Sequence, residues 1–414
     1  MNNELTHKAL TNSYFEHIHN GNYKEAKRLA EVLCLMEPES VKYTYRLAYT
    51  YLKLEMWQES IEAGLKAFAL DNKYIPTLDL LAHAYGATSD WENSGFYGHQ
   101  ALTLKDAEIL TPSEPMQVSD VTKNEKKLIA FSLFGKRSKY LETAVLNVQV
   151  AHTLFPNWIC RFYIDETVPE QAVQRLKSNG AEIIKITEDL KSWPGAMWRF
   201  LAINDPKAEY VIFRDTDSVV SAREAAAVAE WIKSGHSFHI MRDSGSHTAL
   251  MLAGMWGAKV GSISNMKERI QNYISNGYNS AHFADQDFLA TELWGYIRQD
   301  LLSHDRLFNF GNPKPFPELP FNPSYQIAFA EGEAGFETET FYEEGKNIKW
   351  TLYSSISPVL NSDYSSITVP EFKVCSYETT VKNGRISDNI PRRYAYAVRD
   401  GLARIEIELY ETNK

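Results

Sequence analysis

A step of 34 residues organises the first hundred positions of this chain. Tyr23, Trp57 and Trp91 are spaced by 34 and 34, and each follows a short polar turn: Asn20-Gly21-Asn22, Glu55-Met56 and Ser89-Asp90. Leu47 and Leu81, Ala48 and Ala82, Tyr51 and Tyr85, and the trio Met36, Leu70 and Leu104 keep the same step. A period of this length fits a helix–turn–helix unit, which is too thin to bury its apolar face alone. Such units must stack on copies of themselves, so residues 5 to 106 are expected to form roughly three helical hairpins. Small residues (Ala48, Ala82, Gly64 and Gly98) fall where paired helices approach closely, and the aromatics fill the gaps between them.

In period more than in consensus, this stretch resembles the tetratricopeptide repeat (TPR) family, which implies a helical solenoid over residues 1–110. Packing between repeats is the plain use of Tyr23, Trp57 and Trp91. A concave surface for a peptide, a glycan or a second copy of the chain is the alternative. The full length of 414 residues leaves room for two or three domains. Its formal charge is −10; the first 110 residues, with 10 basic and 15 acidic, carry −5, and the remainder carries −5. Neither part has the positive excess that a phosphate backbone demands, which argues against nucleic acid as a partner. The three cysteines, Cys34, Cys160 and Cys375, are odd in number and far apart, a pattern that fits neither a disulfide framework nor a zinc site. No signal-type or membrane-spanning apolar run is evident, so a cytoplasmic location is expected, with peripheral attachment to the inner face of a membrane left open.

Residues 111–125, TPSEPMQVSDVTKNE, read as a polar linker. Beyond it, short apolar runs alternate with helical patterns. Leu128–Leu133, Arg161–Ile164, Glu182–Ile186 and Tyr210–Arg214 read as strands, and Tyr140–Phe155, Pro169–Leu176 and Pro194–Ile203 as helices. Alternation of this kind implies βαβ units and a mainly parallel sheet. Ligands of such sheets bind beyond the carboxyl ends of the strands. Directly after the strand YVIFR stands Asp215-Thr216-Asp217, followed by Ser221 and Glu224 in a capping-box pattern. Paired carboxylates leaving a strand suit Mg²⁺ or Mn²⁺ shared with substrate phosphates. The triplet alone means little, since 18 aspartates give about one by chance; its position carries the weight. An exposed strand-end turn is the plainer alternative.

The stretch GAMWRFLAINDPKAEYVIFRDTDSVV, Gly195–Val220, resembles GT-A-fold glycosyltransferases, most nearly those of family 8 and related bacterial capsule or lipopolysaccharide transferases of polysaccharide biosynthesis. The resemblance implies that Asp217 binds the metal, that Asp215 binds the metal or the donor ribose, and that Arg199 reaches the donor sugar or its phosphates. Three later segments extend it: LAGMWG with Trp256, which looks like the floor of the sugar site; Asp285-Gln286-Asp287, which looks like the element contacting the transferred sugar; and Gly311-Asn312-Pro313-Lys314-Pro315-Phe316, similar to the terminal His-x-x-Gly-x-x-Lys-Pro-Trp motif. There Lys314 would hold the diphosphate. The His slot of that motif is filled by Phe308, and His304 four residues earlier is expected to be the third metal ligand. Helix capping by Asp285 or Asp287, core packing of Trp198 and a structural ion pair for Arg242-Asp243 are the competing readings. His239 reads as a strand residue, and His282 as a residue that could meet the acceptor.

From about Asn347 the pattern alternates: Lys349–Ser355, Phe372–Tyr377 and Arg404–Leu409 suggest a small antiparallel extension over 319–414. The expected architecture is therefore multidomain α plus α/β: TPR solenoid 1–110, linker 111–125, GT-A Rossmann-like domain 126–318 and a β-rich extension. The expected function is metal-dependent transfer of a sugar from a nucleotide-sugar, UDP-linked by preference, to a glycan or protein acceptor, with retention slightly favoured. Mn²⁺ or Mg²⁺ is the expected cofactor. The repeats would recruit acceptor or make a homo-oligomer, as could the extension. Removal of residues 1–110 should then spare donor hydrolysis. The alternative is a TPR scaffold with an inactive transferase-like domain.

Overall fold

The computed structural model describes residues 2–110, 116, 126–278 and 280–409, with the backbone alone for residues 2–5. Apart from Met116, the expected linker 111–125 lies outside the described residues. Six helices come first: α1 (Asn2–His19), α2 (Tyr23–Met36), α3 (Val41–Lys53), α4 (Trp57–Leu70), α5 (Ile75–Ala87) and α6 (Trp91–Ala107). Tyr23, Trp57 and Trp91 each open a helix. Two residues before each, Gly21, Glu55 and Ser89 take φ of 71°, 57° and 62°. One left-handed turn thus recurs at the 34-residue step, and Glu55 and Ser89 adopt it without glycine's freedom. The buried hydrogen bonds repeat as well. Ser60 Oγ donates to the Ala48 carbonyl at 2.9 Å, and Ser94 Oγ to the Ala82 carbonyl at 2.7 Å. Ala48 and Ala82 are fully buried.

The second region is α/β. In chain order it runs β1 (Lys127–Leu133), α7 (Ser138–Leu154), β2 (Trp158–Ile164), α8 (Glu170–Ser178) and β3 (Glu182–Lys185). A ten-residue 3₁₀ helix, Gly195–Asn204, leads to β4 (Tyr210–Phe213), α9 (Ala222–Ser234), β5 (Phe238–Arg242), β6 (Trp256–Lys259) and α10 (Met266–Ser275). Then α11 (Ala284–Phe288) passes through a π turn, Leu289–Leu293, into α12 (Trp294–Ile297), and β7 (Leu301–Asp305) follows. The sheet order is β3-β2-β1-β4-β6-β5-β7. The first four in that order are parallel, and β6 runs antiparallel to β4 and β5. The carboxyl ends of β1, β2, β3 and β4 therefore share one edge, where a strand order that departs from β1 in both directions leaves a crevice for ligand.

The tail adds β8 (Gly335–Glu339), β9 (Asn347–Ile356), β10 (Thr368–Thr380), β11 (Arg385–Asn389), α13 (Arg392–Arg399) and β12 (Ala403–Leu409). Its sheets are β10-β9-β12 and β11-β8, all antiparallel, as the alternation requires; α13 was not legible in the sequence. This tail is not appended. Trp350, Leu352, Ile356, Cys375 and Tyr394 belong to the same buried cluster as Leu141, Val145 and Val148 of α7. Glu142, 2% exposed, accepts from Arg175 and from the Tyr377 hydroxyl, while Asp388 accepts from Ser138 Oγ at 2.6 Å and Trp350 Nε1 at 3.0 Å. The tail thus supplies one wall of the α/β core.

Two compact units result, and their limits differ from the expected domains. The first is Met1–Pro112 with Met241–Leu250 and Ser303–Pro315; the second is Ser113–Ile240, Met251–Leu302 and Phe316–Lys414. No helix among the described residues is long and apolar enough to cross a membrane.

Candidate active site

Within the second unit, β4 ends at Phe213 and delivers Arg214, Asp215 and Asp217 in the turn beyond it. Arg199, on the 3₁₀ helix before β4, is 2% exposed. Its Nη1 donates to Asp215 Oδ1 at 2.5 Å and to the Arg214 carbonyl at 2.8 Å, and its Nη2 donates to Asp285 Oδ2 at 2.8 Å. One guanidinium thus joins the first Asp-x-Asp to the second, which lies 70 residues later on α11. Its backbone is fixed too, because Ser132 Oγ on β1 accepts from the Arg199 amide at 3.0 Å.

These contacts set the carboxyl groups apart. Burial pushes Asp215 up, but the Arg199 charge and hydrogen bond, with Arg214 behind, overcome it and hold Asp215 below the usual carboxylate range. For Asp285 burial prevails over Arg199, and the Asp215 charge adds to it, so this group is raised. Asp217 is pushed up to about 6 by burial and then by the charge of Asp215. Its carbonyl accepts from the Gly332 amide at 3.0 Å, which fixes the backbone while leaving the carboxylate its own chemistry. Gln286 and Asp287 are half-buried beside Asp285.

Gly254 presses its backbone onto Asp215: a Cβ there would overlap the carboxylate. Gly254→Ala is therefore expected to cost about 1–3 kcal/mol through overpacking, although the same change at a site with room stabilises by about 0.4–1 kcal/mol. Urea unfolding of the variant distinguishes the two; a stability equal to or above wild type means Asp215 has another seat.

One residue of the site escaped sequence reading, and a second was read only as a helix cap. Arg214, the last residue of the YVIFR run, is fully buried and donates to the Gly254 carbonyl at 2.8 Å and to Ser218 Oγ at 3.1 Å. Its Nε lies 3.1 Å from Glu224 Oε1, a second buried charge. The capping expectation holds in part: Ser221 Oγ accepts from the Glu224 amide at 3.3 Å, but the Glu224 side chain faces Arg214 instead of returning to the cap. A charged residue closing an apolar strand was the available signal, since a fully buried arginine demands a partner.

Several expectations are corrected. Trp256 does not present its ring to a ligand: it is 1% exposed on β6, where its register opposite Phe213 stacks the rings at 4.3 Å and 28°. Trp198 packs in the core, the reading that competed with sugar stacking, its Nε1 donating to the Leu190 carbonyl at 3.0 Å. His304 is no loop ligand but a fully buried residue of β7, in the first unit. Among the described residues no three His, Cys, Asp or Glu are placed to hold a metal. Residues 303–305 are paired to Lys314 by backbone hydrogen bonds of 2.8 and 3.1 Å. Lys314 and Gly311 also belong to the first unit, Gly311 with φ of 70°. Arg242 proves structural, donating to the carbonyls of Ala249 and Leu250; burial lowers its pKa to about 10. His239 stacks on Trp231, and His282 is exposed.

No protein-family profile and no curated protein sequence matches this chain. Among solved structures it is similar to PcrH bound to the chaperone-binding region of PopD, at 16% identity over 25% of this chain and 79% of that one, with a TM-score of 0.25. The type III secretion translocator chaperone SycD of Yersinia enterocolitica matches at 14% identity over 25% and 78%, with a TM-score of 0.24. A mutant of the Thermobaculum terrenum O-GlcNAc transferase matches at 15% identity over 52% of this chain and 51% of that one, with a TM-score of 0.29.

Proposed function

We propose that this protein is a glycosyltransferase that takes its sugar from a nucleotide-sugar bound beyond the carboxyl end of β4. The observation that carries the reading is Arg199, a buried guanidinium bridging Asp215 and Asp285, one carboxylate from each Asp-x-Asp element. The arrangement draws together parts that the resemblance to GT-A enzymes of family 8 assigns to one donor site.

With no three-residue shell among the described residues, a divalent cation could be held only as Mg²⁺ and Mn²⁺ are held beside substrate phosphates: by one or two carboxylates, here Asp217 and Asp215, with water and diphosphate completing the sphere. When bound it would neutralise charge developing on the leaving diphosphate. Arg199 fixes Asp215 and Asp285 in register with each other. Asp285, which accepts from Arg199 Nη2 and from the Gln286 amide, is suited to accept a hydrogen bond from a sugar hydroxyl. Gln286 and Asp287 are the neighbouring groups proposed to contact the transferred sugar. Lys314 and Gly311 are assigned to the diphosphate by the resemblance alone.

A thermal-shift series with UDP-, GDP-, CMP- and dTDP-sugars, each with and without Mn²⁺, tests the reading. A donor present at a hundred times its Kd should stabilise the protein by about 2.7 kcal/mol, and a cation-dependent shift identifies nucleotide and metal together. If no nucleotide-sugar raises the melting point under either condition, the proposal fails.

A further inference from the structure

In a repeat array each unit covers the face of the one before it, and the last unit needs a cap. Helix α4 is covered by α5 at Gly64: a Cβ there would lie 2.7 Å from the Leu81 side chain. One repeat later, at Gly98 of α6, no further helix of the array among the described residues supplies that cover. Its place is taken by Phe308, whose ring would overlap a Cβ on Gly98. Around this contact the chain is held at several points. A Cβ on Gly95 would lie 2.5 Å from the Leu307 carbonyl, His99 Nδ1 is 2.8 Å from the Phe308 carbonyl, and the Arg306 guanidinium stacks on Trp91 at 4.2 Å. Asp305 Oδ1 accepts from the amides of Leu307 and Phe308, both at 2.8 Å, which fixes the bend that presents Phe308. The neighbouring segment 241–250 joins in. A Cβ on Gly245 would lie 2.5 Å from the Ala82 carbonyl, and Lys105 Nζ donates to the Thr248 carbonyl at 2.9 Å while pairing with Asp79.

We infer that residues 303–310 are the terminal cap of the helical repeats and that α6, through Gly95, Gly98 and Trp91, positions the segment that carries Lys314. The same segment closes on itself: the Lys314 amide donates to the Ser303 carbonyl at 2.8 Å and the Asp305 amide to the Lys314 carbonyl at 3.1 Å. Anything that dislodges Phe308 from Gly98 pulls on the strand pair that sets Lys314. The inference accounts for Phe308 standing where the resembling motif has His: the position faces a glycine groove and not a metal. Removal of residues 1–110 would take the seat of this segment with them. Its consequence for the donor rests on the proposed role of Lys314.

Hydrogen exchange on the full chain tests the capping directly. Gly98→Ala should lower protection of the amides of Leu307, Phe308 and Lys314 by roughly tenfold or more. The double variant Gly98→Ala with Phe308→Leu should restore most of it. Gly64→Ala, which meets the Leu80 and Leu81 side chains and not the 303–310 segment, serves as the control and should leave those amides unchanged. Unaltered protection in Gly98→Ala, or loss that the double variant fails to rescue, overturns the capping. Calorimetric titration with UDP and Mn²⁺ then reads the consequence: Gly98→Ala and Lys314→Ala should both weaken binding, and the rescued double variant should recover it. Wild-type binding of UDP that is indifferent to Lys314→Ala rejects the role of Lys314 and leaves the exchange result to judge the capping by itself.

Discussion

Arg199→Met is expected to destabilise the second unit by about 3–5 kcal/mol at pH 7.5, the loss typical when one partner of a buried charge cluster is removed. The guanidinium is 2% exposed and binds two carboxylates that come from different motifs. Without it the buried Asp285 and the half-exposed Asp215 repel each other with no cation between them, and the carbonyl of Arg214 loses its donor. The effect must depend on pH. Asp215 is held below its ordinary range in the folded state, so its contribution is present above the unfolded value, near 3.9, and fades as pH falls through the folded one. In the variant both carboxyl groups can relieve their repulsion by taking up protons, so the gap from wild type should narrow as pH falls toward about 4. Urea unfolding at pH 7.5 and at about pH 4 reads both effects. Arg199→Lys keeps a charge but loses the planar fork, and should fall between the two. A loss under about 1 kcal/mol at pH 7.5, the scale of an exposed pair, would show that the bridge contributes no more than a surface contact.

Asp215 could be picked out before any coordinates because it directly follows a strand that alternation with helices makes legible, whereas Arg199 and Asp285 came from the resemblance alone. The same holds for the repeats, whose period recurs in turn, hydrogen bond and aromatic alike. What sequence could not supply is which way a side chain faces when its partner is far along the chain. Trp256 sits beside the right motif, but pairing with Phe213 turns its ring into the core. Glu224 shows the signature of a cap and serves also as the counter-charge of Arg214. His304 lay close to its expected place along the chain, but it is buried on β7 and paired with Lys314. Gly98 was legible as a point of close approach, while the identity of what approaches, Phe308, is 210 residues away in sequence and follows no period.

Asp217→Asn is expected to move stability and activity in opposite directions. Burial, followed by the charge of Asp215, raises the Asp217 carboxyl to about 6, whereas in the unfolded chain it lies near 3.9. A folded value above the unfolded one means that the native state binds the proton more tightly. The stability this group contributes is complete below the unfolded value and is lost as pH rises through about 6. At pH 7.5 the ionised carboxylate opposes folding, and an amide of the same shape removes the opposition. The variant should therefore be more stable than wild type at pH 7.5 and equal to it below about pH 4, the difference growing between those limits. Urea midpoints across a pH series check this, and a variant that is less stable at pH 7.5 refutes the sign. Under the proposed function the same change should lower sugar transfer by about 10²- to 10³-fold, the loss expected when one preorganised electrostatic contact to the reacting group is removed. Mn²⁺ should stabilise wild type and leave the variant unmoved. A carboxylate retained against the stability of its own fold is explained by the work it does on a ligand; full turnover by a stable Asp217→Asn protein would take Asp217 out of the donor site.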